Sequence, residues 1–255
     1  MDDFKKIAVS AAQKAGKILI ANFRKKIKVF LKDRSDIVTN IDKKCEKEII
    51  SLIRKRFPLH SFFSEEVKKT GPKSDYLWII DPLDGTVNYT AGQPLFSVSL
   101  CLLYKEKPLL GVVYVPCFNE LFIGIKNKGA FLNNKRISVS KNKNLKNSII
   151  YFTLSTHYSK KLINQTLGVC KKIAPYVRGV RVYESGALSH CYLASGRLDG
   201  KISVETDPFS SAAGVLIVQE AGGKITDFSG KSWDINKKSL VCSNGKIHQK
   251  LLSII

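Results

Sequence analysis

The sequence has few acidic residues and lacks long apolar segments. Its 255 residues include 42 lysines and arginines but only 21 aspartates and glutamates, which gives a formal net charge of +21. No apolar run approaches the roughly 18 residues that a membrane span needs. The N-terminus also lacks the apolar stretch of a signal peptide. These absences favour a cytoplasmic protein that has no membrane partner.

Cysteine pairs with metal-binding or redox spacing are also missing. The chain has six cysteines and no CxxC, and several of them sit in apolar surroundings. The pattern predicts reduced, mostly buried thiols and excludes a cysteine zinc site. The six positions are Cys45, Cys101, Cys117, Cys170, Cys191 and Cys242.

The basic residues are spread along the whole chain and form no recognisable nucleic-acid motif. No zinc finger and no aromatic-basic RNA-binding pattern accompanies them. The simplest interpretation is a solvated basic surface. A weak, salt-sensitive attraction to anionic substrates or to RNA stays open as an alternative.

The composition and the apolar periodicity predict a globular α+β or α/β protein. Hydrophobic residues make up 44% of the chain and charged residues 25%, which excludes a disordered chain. Apolar residues at helical spacing predict helices over 4–23 and about 40–56, followed by strands to about residue 140. The polar segment 141–147 is the best boundary, so we divide the chain into halves 1–144 and 145–255. Strand–helix alternation makes the second half α/β.

One segment carries the densest chemical signal. It reads Trp-Ile-Ile-Asp-Pro-Leu-Asp-Gly-Thr and spans residues 78–86. A buried strand that ends in a tight turn lets Asp81 and Asp84 converge, with the Leu83 carbonyl between them, and such hard oxygen ligands suit Mg²⁺. If Gly85 and Thr86 open a helical turn, their N–H groups can hold a phosphate. Taken alone, the same residues also fit an ordinary turn at a strand end.

Further segments accompany this motif in a fixed order. The most informative are 36–42 (Asp-Ile-Val-Thr-Asn-Ile-Asp), 64–66 (Ser-Glu-Glu), 208–214 (Pro-Phe-Ser-Ser-Ala-Ala-Gly) and 220–223 (Glu-Ala-Gly-Gly). Together with the Asp-Pro-Leu-Asp-Gly-Thr motif they resemble the inositol monophosphatase family, whose superfamily also holds fructose-1,6-bisphosphatase. The resemblance covers nearly the whole chain, from Ala11 to Gly223.

The resemblance implies a five-layer αβαβα sandwich, usually a homodimer, with a Mg²⁺ site between its halves. Two or three ions are implied. The first would be held by Glu65, Asp81 and the Leu83 carbonyl, and the second by Asp81 and Asp84, while Glu65 would also touch a third. Lithium sensitivity belongs to the same set of expectations.

The resemblance also implies catalytic and substrate-binding residues. Asp42 and Thr86 would orient the attacking water, with Glu65 as a further catalytic residue. The N–H groups of Gly85 and Thr86 would bind the substrate phosphate, and no covalent nucleophile is needed because metal ions can activate water. None of the four histidines lies in a catalytic motif. The expected substrate-binding residues are Asp84, Gly85, Thr86, Glu184, Ser185, Gly186 and Ser210.

The chain departs from the family pattern at the second metal site. The family has an aspartate ligand where this sequence has Ser210. We expect Ser210 to serve instead as the N-cap of a helix over 210–221. Three interpretations stay open: Asp207 replaces the missing ligand, the second ion binds weakly, or catalysis has been lost.

The substrate pocket departs from the pattern as well. Glu184 stands where the family usually has glycine, and Ser203 falls where an acidic residue usually meets the inositol hydroxyls. Glu205 could replace that acid only with a small shift. Both neutral drift and a substrate other than inositol phosphate explain these changes.

The leading hypothesis is a Mg²⁺-dependent phosphomonoesterase that acts on a small sugar or polyol phosphate. A second hypothesis is a catalytically weakened family member that binds RNA or the transcription machinery, motivated by Ser210 and the basic charge. A third keeps the enzyme but changes the substrate to fructose 1,6-bisphosphate or a nucleotide 3′-phosphate.

Overall fold

The computed structural model describes residues 1–31, 37–154 and 159–255. Two predicted features, Asp36 and His157, lie outside the described residues. The elements of the first half are α1 (Asp2–Asn22), β1 (Val29–Leu31), β2 (Ile37–Thr39), α2 (Asn40–Arg56), β3 (Ser61–Ser64), β4 (Lys68–Thr70), β5 (Tyr76–Asp84), α3 (Thr86–Thr90), β6 (Ser97–Tyr104), β7 (Lys107–Val115), β8 (Glu120–Ile125), β9 (Gly129–Leu132) and β10 (Lys135–Ile137).

The second half alternates strands and helices, as its sequence predicts. The division of the chain into two domains at 144/145 stays a prediction. The elements are β11 (Ile149–Phe152), α4 (Lys160–Ile173), β12 (Gly179–Arg181), α5 (Gly186–Ala194), β13 (Gly200–Ser203), α6 (Pro208–Glu220), β14 (Lys224–Thr226), β15 (Leu240–Ser243) and α7 (His248–Leu252).

Eight of the described strands form one large sheet in the order β10-β9-β8-β7-β6-β5-β3-β4. Its pairs are antiparallel except β3 with β5. Helices α1 and α2 pack on one face of this sheet. Helix α1 buries Ala8, Ala11, Ala15 and Leu19, which recur at i, i+3, i+4 spacing and therefore form one apolar stripe.

The smaller sheet has the order β12-β11-β13-β15-β14. Helices α5 and α6 lie between the two sheets, because α6 contacts β7 and β8 of the large sheet as well as β14 of the small one. Helices α4 and α7 cover the outer face, where Ile173 and Leu251 pack on Ile150 and Ile202. The layers therefore run helix, sheet, helix, sheet, helix, which confirms the predicted five-layer αβαβα sandwich.

Two glycines allow α6 to approach the large sheet closely. A Cβ atom at Gly111 would lie 2.7 Å from the backbone oxygen of Ala213, and one at Gly124 would lie 2.8 Å from the Cα of Ile217. Backbone atoms cannot move aside as the end of a flexible side chain can. The height of α6 above the sheet is therefore fixed by backbone contact.

The start of α6 differs from the prediction. Ser210 was expected to be the N-cap of a helix over 210–221, but the helix begins at Pro208 and its N-cap is Asp207. Proline favours the first helical position because its fixed φ suits the helix and its missing N–H is not needed there. The Asp207 carboxylate accepts the Ser210 N–H at 2.8 Å, so Ser210 lies inside the first turn.

The cysteines agree with the prediction of free thiols. All six are unpaired, and Cys117 and Cys170 are only partly buried. Burial raises the pKa of the Cys45 thiol to about 12, which keeps it protonated at neutral pH. The fully buried thiols are Cys45, Cys101, Cys191 and Cys242.

The contact between α6 and the sheet generates a stability prediction. Gly124→Ala should lower the free energy of unfolding by about 1–3 kcal/mol, because the methyl group overpacks a rigid contact. Gly168→Ala is the matched control, since that glycine is exposed on α4 with no atom within 4 Å of an added Cβ. The control should gain about 0.5–1 kcal/mol from helix propensity. Urea denaturation measures both, and equal stability of Gly124→Ala and wild type would contradict the fixed contact.

Candidate active site

The end of β5 forms the turn that the sequence predicts. The pairing of β5 with β6 shifts register between Asp81 and Asp84, and the Leu83 N–H donates to Asp81 Oδ1 at 3.1 Å. Gly85 then adopts a φ of +90°, and a Cβ there would lie 2.8 Å from the Leu95 carbonyl oxygen. Only glycine fits this position, and the chain enters α3 immediately after it.

Asp42 and Thr86, the predicted water-orienting pair, are brought together. Thr86 Oγ1 lies 3.2 Å from Asp42 Oδ1 and 3.0 Å from the Leu83 carbonyl oxygen. Asp42 Oδ2 accepts the Thr39 N–H at 2.9 Å and also contacts the Thr39 hydroxyl. This capping box at the start of α2 orients the carboxylate toward Thr86, so one local motif serves both the helix and the site.

Most of the predicted site residues line one cavity of about 550 Å³. The Asp42 carboxylate is buried and reaches the site through Thr86. Ser185, a predicted substrate-binding residue, is fully buried. Its hydroxyl donates a hydrogen bond to Asp84 at 2.6 Å and therefore already has a partner within the protein. The predicted residues that line the cavity are Glu65, Asp81, Leu83, Asp84, Gly85, Thr86, Glu184, Gly186, Asp207 and Ser210.

Asp81 lies among negative charges. Burial raises its pKa well above the usual value, and the carboxylates of Glu65, Asp84 and Asp207 raise it further. A carboxylate in such a place is costly to ionise without a counter-charge. The arrangement therefore favours a bound cation.

Asp84 accepts hydrogen bonds from the protein on both carboxylate oxygens. Its Oδ1 accepts the Gly186 N–H at 2.8 Å. Its Oδ2 accepts from the hydroxyls of Ser185 at 2.6 Å and Ser97 at 2.8 Å, and from the Ala187 N–H at 3.1 Å. Burial raises the pKa of Asp84, and the hydrogen bonds from Ser185 and Ser97 oppose that rise. Asp84 is thus the anion that sits at the N-terminus of α5.

Asp207 and Ser210 bind each other. Besides the cap bond, Asp207 Oδ2 accepts the Ser210 hydroxyl at 2.6 Å. Both residues line the cavity, and the Asp207 charge acts on Asp81. Asp207 therefore faces the carboxylate cluster while it caps α6.

The rest of the pocket contains hydroxyls and acids. Ser203, which stands where an acidic residue was expected, contacts Thr153 with 2.6 Å between the two hydroxyl oxygens. Glu205 lines the cavity, with its carboxylate 3.7 Å from the Lys238 ammonium. Glu184 has a φ of +44° and also lines the cavity. The wall of the cavity thus carries two acidic side chains in this region.

Lys201 is the residue that sequence reasoning missed. It is 2% exposed on β13 and lines the cavity. Its Nζ lies 2.9 Å from the Gly186 carbonyl oxygen, 2.9 Å from Ser189 Oγ and 3.1 Å from His190 Nδ1. Burial lowers the pKa of Lys201 to about 8. The sequence signal that could have indicated it was a single lysine within a short strand that is otherwise predicted to be buried.

The described histidines have structural surroundings, as expected. His60 Nδ1 accepts the Trp78 indole N–H at 3.0 Å, and His248 lies within 3.0 Å of the hydroxyls of Thr226 and Ser243. His190 is fully buried beside Lys201. None of the three lines the cavity.

Comparison with known proteins decides the family. The whole chain, residues 1–255, matches the inositol monophosphatase family. The chain belongs to the inositol monophosphatase family. Members of this family are phosphatases that are generally Mg²⁺-dependent, so the chain is a phosphoric monoester hydrolase by membership.

Individual relatives share the full length of the chain. Inositol monophosphatase 2 of Solanum lycopersicum is 36% identical, over 100% of this chain and 98% of that protein. Nus factor SuhB of Pasteurella multocida is also 36% identical, over 100% and 96%. The crystal structure of extragenic suppressor protein suhB from Bartonella henselae superposes with a TM-score of 0.95 at 33% identity, over 99% of this chain and 98% of that one.

The residues at the β5 end fit the family's metal in part. Glu65, Asp81 and the Leu83 carbonyl line one cavity, and the crowding of carboxylates around Asp81 favours a cation. Among the residues that the structure describes, no three His, Cys, Asp or Glu side chains form a metal site by themselves. A bound Mg²⁺ would therefore rely on the carbonyl, on water and on phosphate oxygens for its remaining ligands.

None of the described helices is long and apolar enough to cross a membrane.

The buried charge of Asp81 generates a second prediction. In EDTA at pH 7, Asp81→Asn should raise the thermal midpoint of unfolding. The amide removes an unfavourable charge and can still accept the Leu83 N–H. Each kcal/mol gained in the free energy of unfolding should appear as a rise of about 2–4 °C in a chain of this size.

The pH dependence of this effect has a definite sign. The folded-state pKa lies above the unfolded value of about 3.9, so ionised Asp81 costs stability at high pH and the cost disappears as the pH falls through the folded-state pKa. The advantage of Asp81→Asn should therefore shrink toward pH 4. Differential scanning calorimetry checks it against the exposed control Asp75→Asn, and a pH-independent difference would contradict the assignment.

Proposed function

We propose that the protein is a Mg²⁺-dependent phosphomonoesterase that hydrolyses a small sugar or polyol phosphate, such as inositol 1-phosphate, with water as the nucleophile. The observation that carries the proposal is the convergence of the Asp42–Thr86 pair with the carboxylates of Glu65 and Asp81 at the end of β5. Family membership supports the reaction type. The substrate is the part that the proposal adds.

Thr86 and Asp42 are our candidates for water activation. The Thr86 hydroxyl has a single proton, which it can donate to Asp42 Oδ1 while an oxygen lone pair accepts a proton from water. Asp42 is held in place by its bonds to Thr39, so it stays oriented toward Thr86. This pair would fix the position of the attacking water and attract its proton.

Glu65, Asp81 and the Leu83 carbonyl are our candidates for holding Mg²⁺. When bound, the ion would neutralise phosphate charge and lower the pKa of water, which is how metal ions accelerate such reactions. The Gly85 and Thr86 N–H groups at the start of α3 are the candidates for the phosphate. Ligation by Asp84 and Asp207, two or three ions, lithium sensitivity, a homodimer and a cytoplasmic location all stay predictions.

The substrate candidates differ in what the pocket must accommodate. Glu184 and Glu205 supply carboxylates that can accept hydrogen bonds from hydroxyls, and Ser203 and Thr153 supply hydroxyls. These groups favour a polyol over a second phosphate, because carboxylates repel a further negative charge. Fructose 1,6-bisphosphate and nucleotide 3′-phosphates therefore rank below simple monoesters.

Phosphate release from inositol 1-phosphate, titrated with Mg²⁺, tests the proposal. Asp81→Asn should lower kcat at least about a hundredfold, because it removes a charge that holds the metal. Asp75→Asn, which changes an exposed aspartate at the start of the same strand region, should retain activity. Wild-type activity in Asp81→Asn, or no Mg²⁺ dependence in the native protein, would contradict the proposed function.

A second candidate function is an RNA-binding role. Two observations favour it: a 36% identical relative is named Nus factor SuhB, and the chain carries a formal charge of +21. Fluorescence anisotropy with a single-stranded RNA should then show binding that weakens steeply between about 50 and about 200 mM salt. The affinity should be the same in Asp81→Asn, and absence of binding at the lower salt would rule this role out.

A further inference from the structure

Lys201 places a positive charge in the wall of the cavity. Its ammonium group has three N–H bonds, and the Gly186 carbonyl oxygen and Ser189 Oγ accept from it, each at 2.9 Å. The His190 ring lies beside them, with Nδ1 3.1 Å from Nζ and 2.8 Å from the Gly186 carbonyl oxygen. These neighbours are neutral, because burial and the lysine charge keep the pKa of His190 well below its usual value. The immediate shell therefore solvates the charge without cancelling it.

Gly186 connects this charge to Asp84. The Gly186 N–H donates to Asp84 Oδ1 at 2.8 Å, and its carbonyl accepts from Lys201 Nζ at 2.9 Å. Burial raises the pKa of Asp84 and lowers that of Lys201, and the charges of the two groups oppose both shifts, with Asp207 also raising the pKa of Lys201. The ammonium thus supplies positive charge to this side of the carboxylate cluster.

Ser210 packs against the same glycine. A Cβ at Gly186 would lie 2.7 Å from Ser210 Oγ and 3.7 Å from Asp84 Oδ1. The residue that replaces the expected metal-ligand aspartate therefore lies beside the Asp84–Gly186–Lys201 chain. Ser210 and the Lys201 ammonium therefore both lie beside Gly186.

A second divalent ion would find poor ligands at that place. The Asp84 oxygens already accept hydrogen bonds from Ser97, Ser185, Gly186 and Ala187, and Ser210 is neutral and bonded to Asp207. A divalent ion there would also be repelled by the nearby ammonium. The residues present do not fit the second ion that the family resemblance implies.

We infer that the Lys201 ammonium takes the place of the second divalent cation. The site then binds one Mg²⁺, through Glu65, Asp81 and the Leu83 carbonyl, and the positive charge beside Asp84 comes from the lysine. This inference rests on the proposed function. Lys201 is a positioning residue: it holds Gly186 and Asp84 and supplies charge without releasing its own hydrogen bonds. Ser189 and the Gly186 carbonyl hold the ammonium in place.

Counting bound ions tests the inference independently of turnover. Mn²⁺ serves as the probe for Mg²⁺, and electron paramagnetic resonance of free Mn²⁺ gives the number of ions per chain and their affinities. The variants are Ser210→Asp, Lys201→Met and the double variant. Lys224→Met, which changes an exposed lysine on the edge strand β14, is the control that removes the same charge elsewhere. Circular dichroism verifies that each variant is folded.

Wild type and the Lys224→Met control should each bind one Mn²⁺ per chain. Ser210→Asp should gain at most a weak second ion, and the double variant should bind a second ion at least about tenfold more tightly than Ser210→Asp does. Two ions of similar affinity in wild type would overturn the inference, as would equal second-ion affinities in Ser210→Asp and the double variant.

Two further results separate the inference from the proposed function. If Lys201→Met fails to fold, wild type and Ser210→Asp decide alone, because two tight ions in Ser210→Asp would show that the lysine does not exclude the ion. One Mn²⁺ in wild type without phosphate release would contradict the proposed function and leave the assignment of Lys201 standing. No Mn²⁺ in any folded variant would overturn both.

Discussion

The Asp84 carboxylate is the contact on which the geometry of the cavity depends. It stands at the end of β5 in the large sheet and accepts hydrogen bonds from Ser185 and Gly186 at the start of α5. A negative charge is favoured at a helix N-terminus, and buried N–H groups need acceptors. One side chain therefore joins the two halves of the chain and sets the distance between the walls of the site.

The same contact divides the cavity into two chemically different sides. On the β5 side, Glu65 and Asp81 crowd negative charge and favour a cation. On the α5 side, the oxygens of Asp84 are used within the protein, and Lys201 supplies positive charge. An unpaired buried carboxylate is destabilising, so each side needs a positive counter-charge. On the β5 side that charge would be a bound metal ion, and on the α5 side it is the side chain of Lys201.

The sequence was sufficient for features encoded in short, specific segments. The Asp-Pro-Leu-Asp-Gly-Thr turn was predicted from its proline and glycine at a strand end, and α2 from its apolar spacing. Strand β4 (Lys68–Thr70) was not recognised because it is a polar, mostly exposed edge strand with no alternation to detect. Helix α7 was missed because five residues give too little periodicity.

The unpredicted parts of the site depend on contacts between distant segments. Nothing near Lys201 in the sequence shows that the Gly186 carbonyl accepts a hydrogen bond from it. The sequence likewise predicts Asp84 as a metal ligand, because the hydrogen-bond donors at the start of α5 are known only from the structure. The N-cap of α6 was assigned to Ser210 because the segment was aligned with the metal-ligand motif of the family. Proline at the first helical position, with Asp207 before it, was the local signal that favoured the actual start.

The backbone contacts that fix α6 also decide how Asp207 could ever reach an ion. Backbone contact at Gly111 and Gly124 sets the height of α6 above the sheet, so an ion near Asp207 has to be reached by the side chain and not by a movement of the helix toward the sheet. Where ion binding draws the carboxylate away from the Ser210 N–H, the N-cap is lost, and losing an N-cap costs about 0.5–2 kcal/mol. Ion capture and the first turn of α6 are then competing equilibria, and ion occupancy would appear as fraying at the start of the helix.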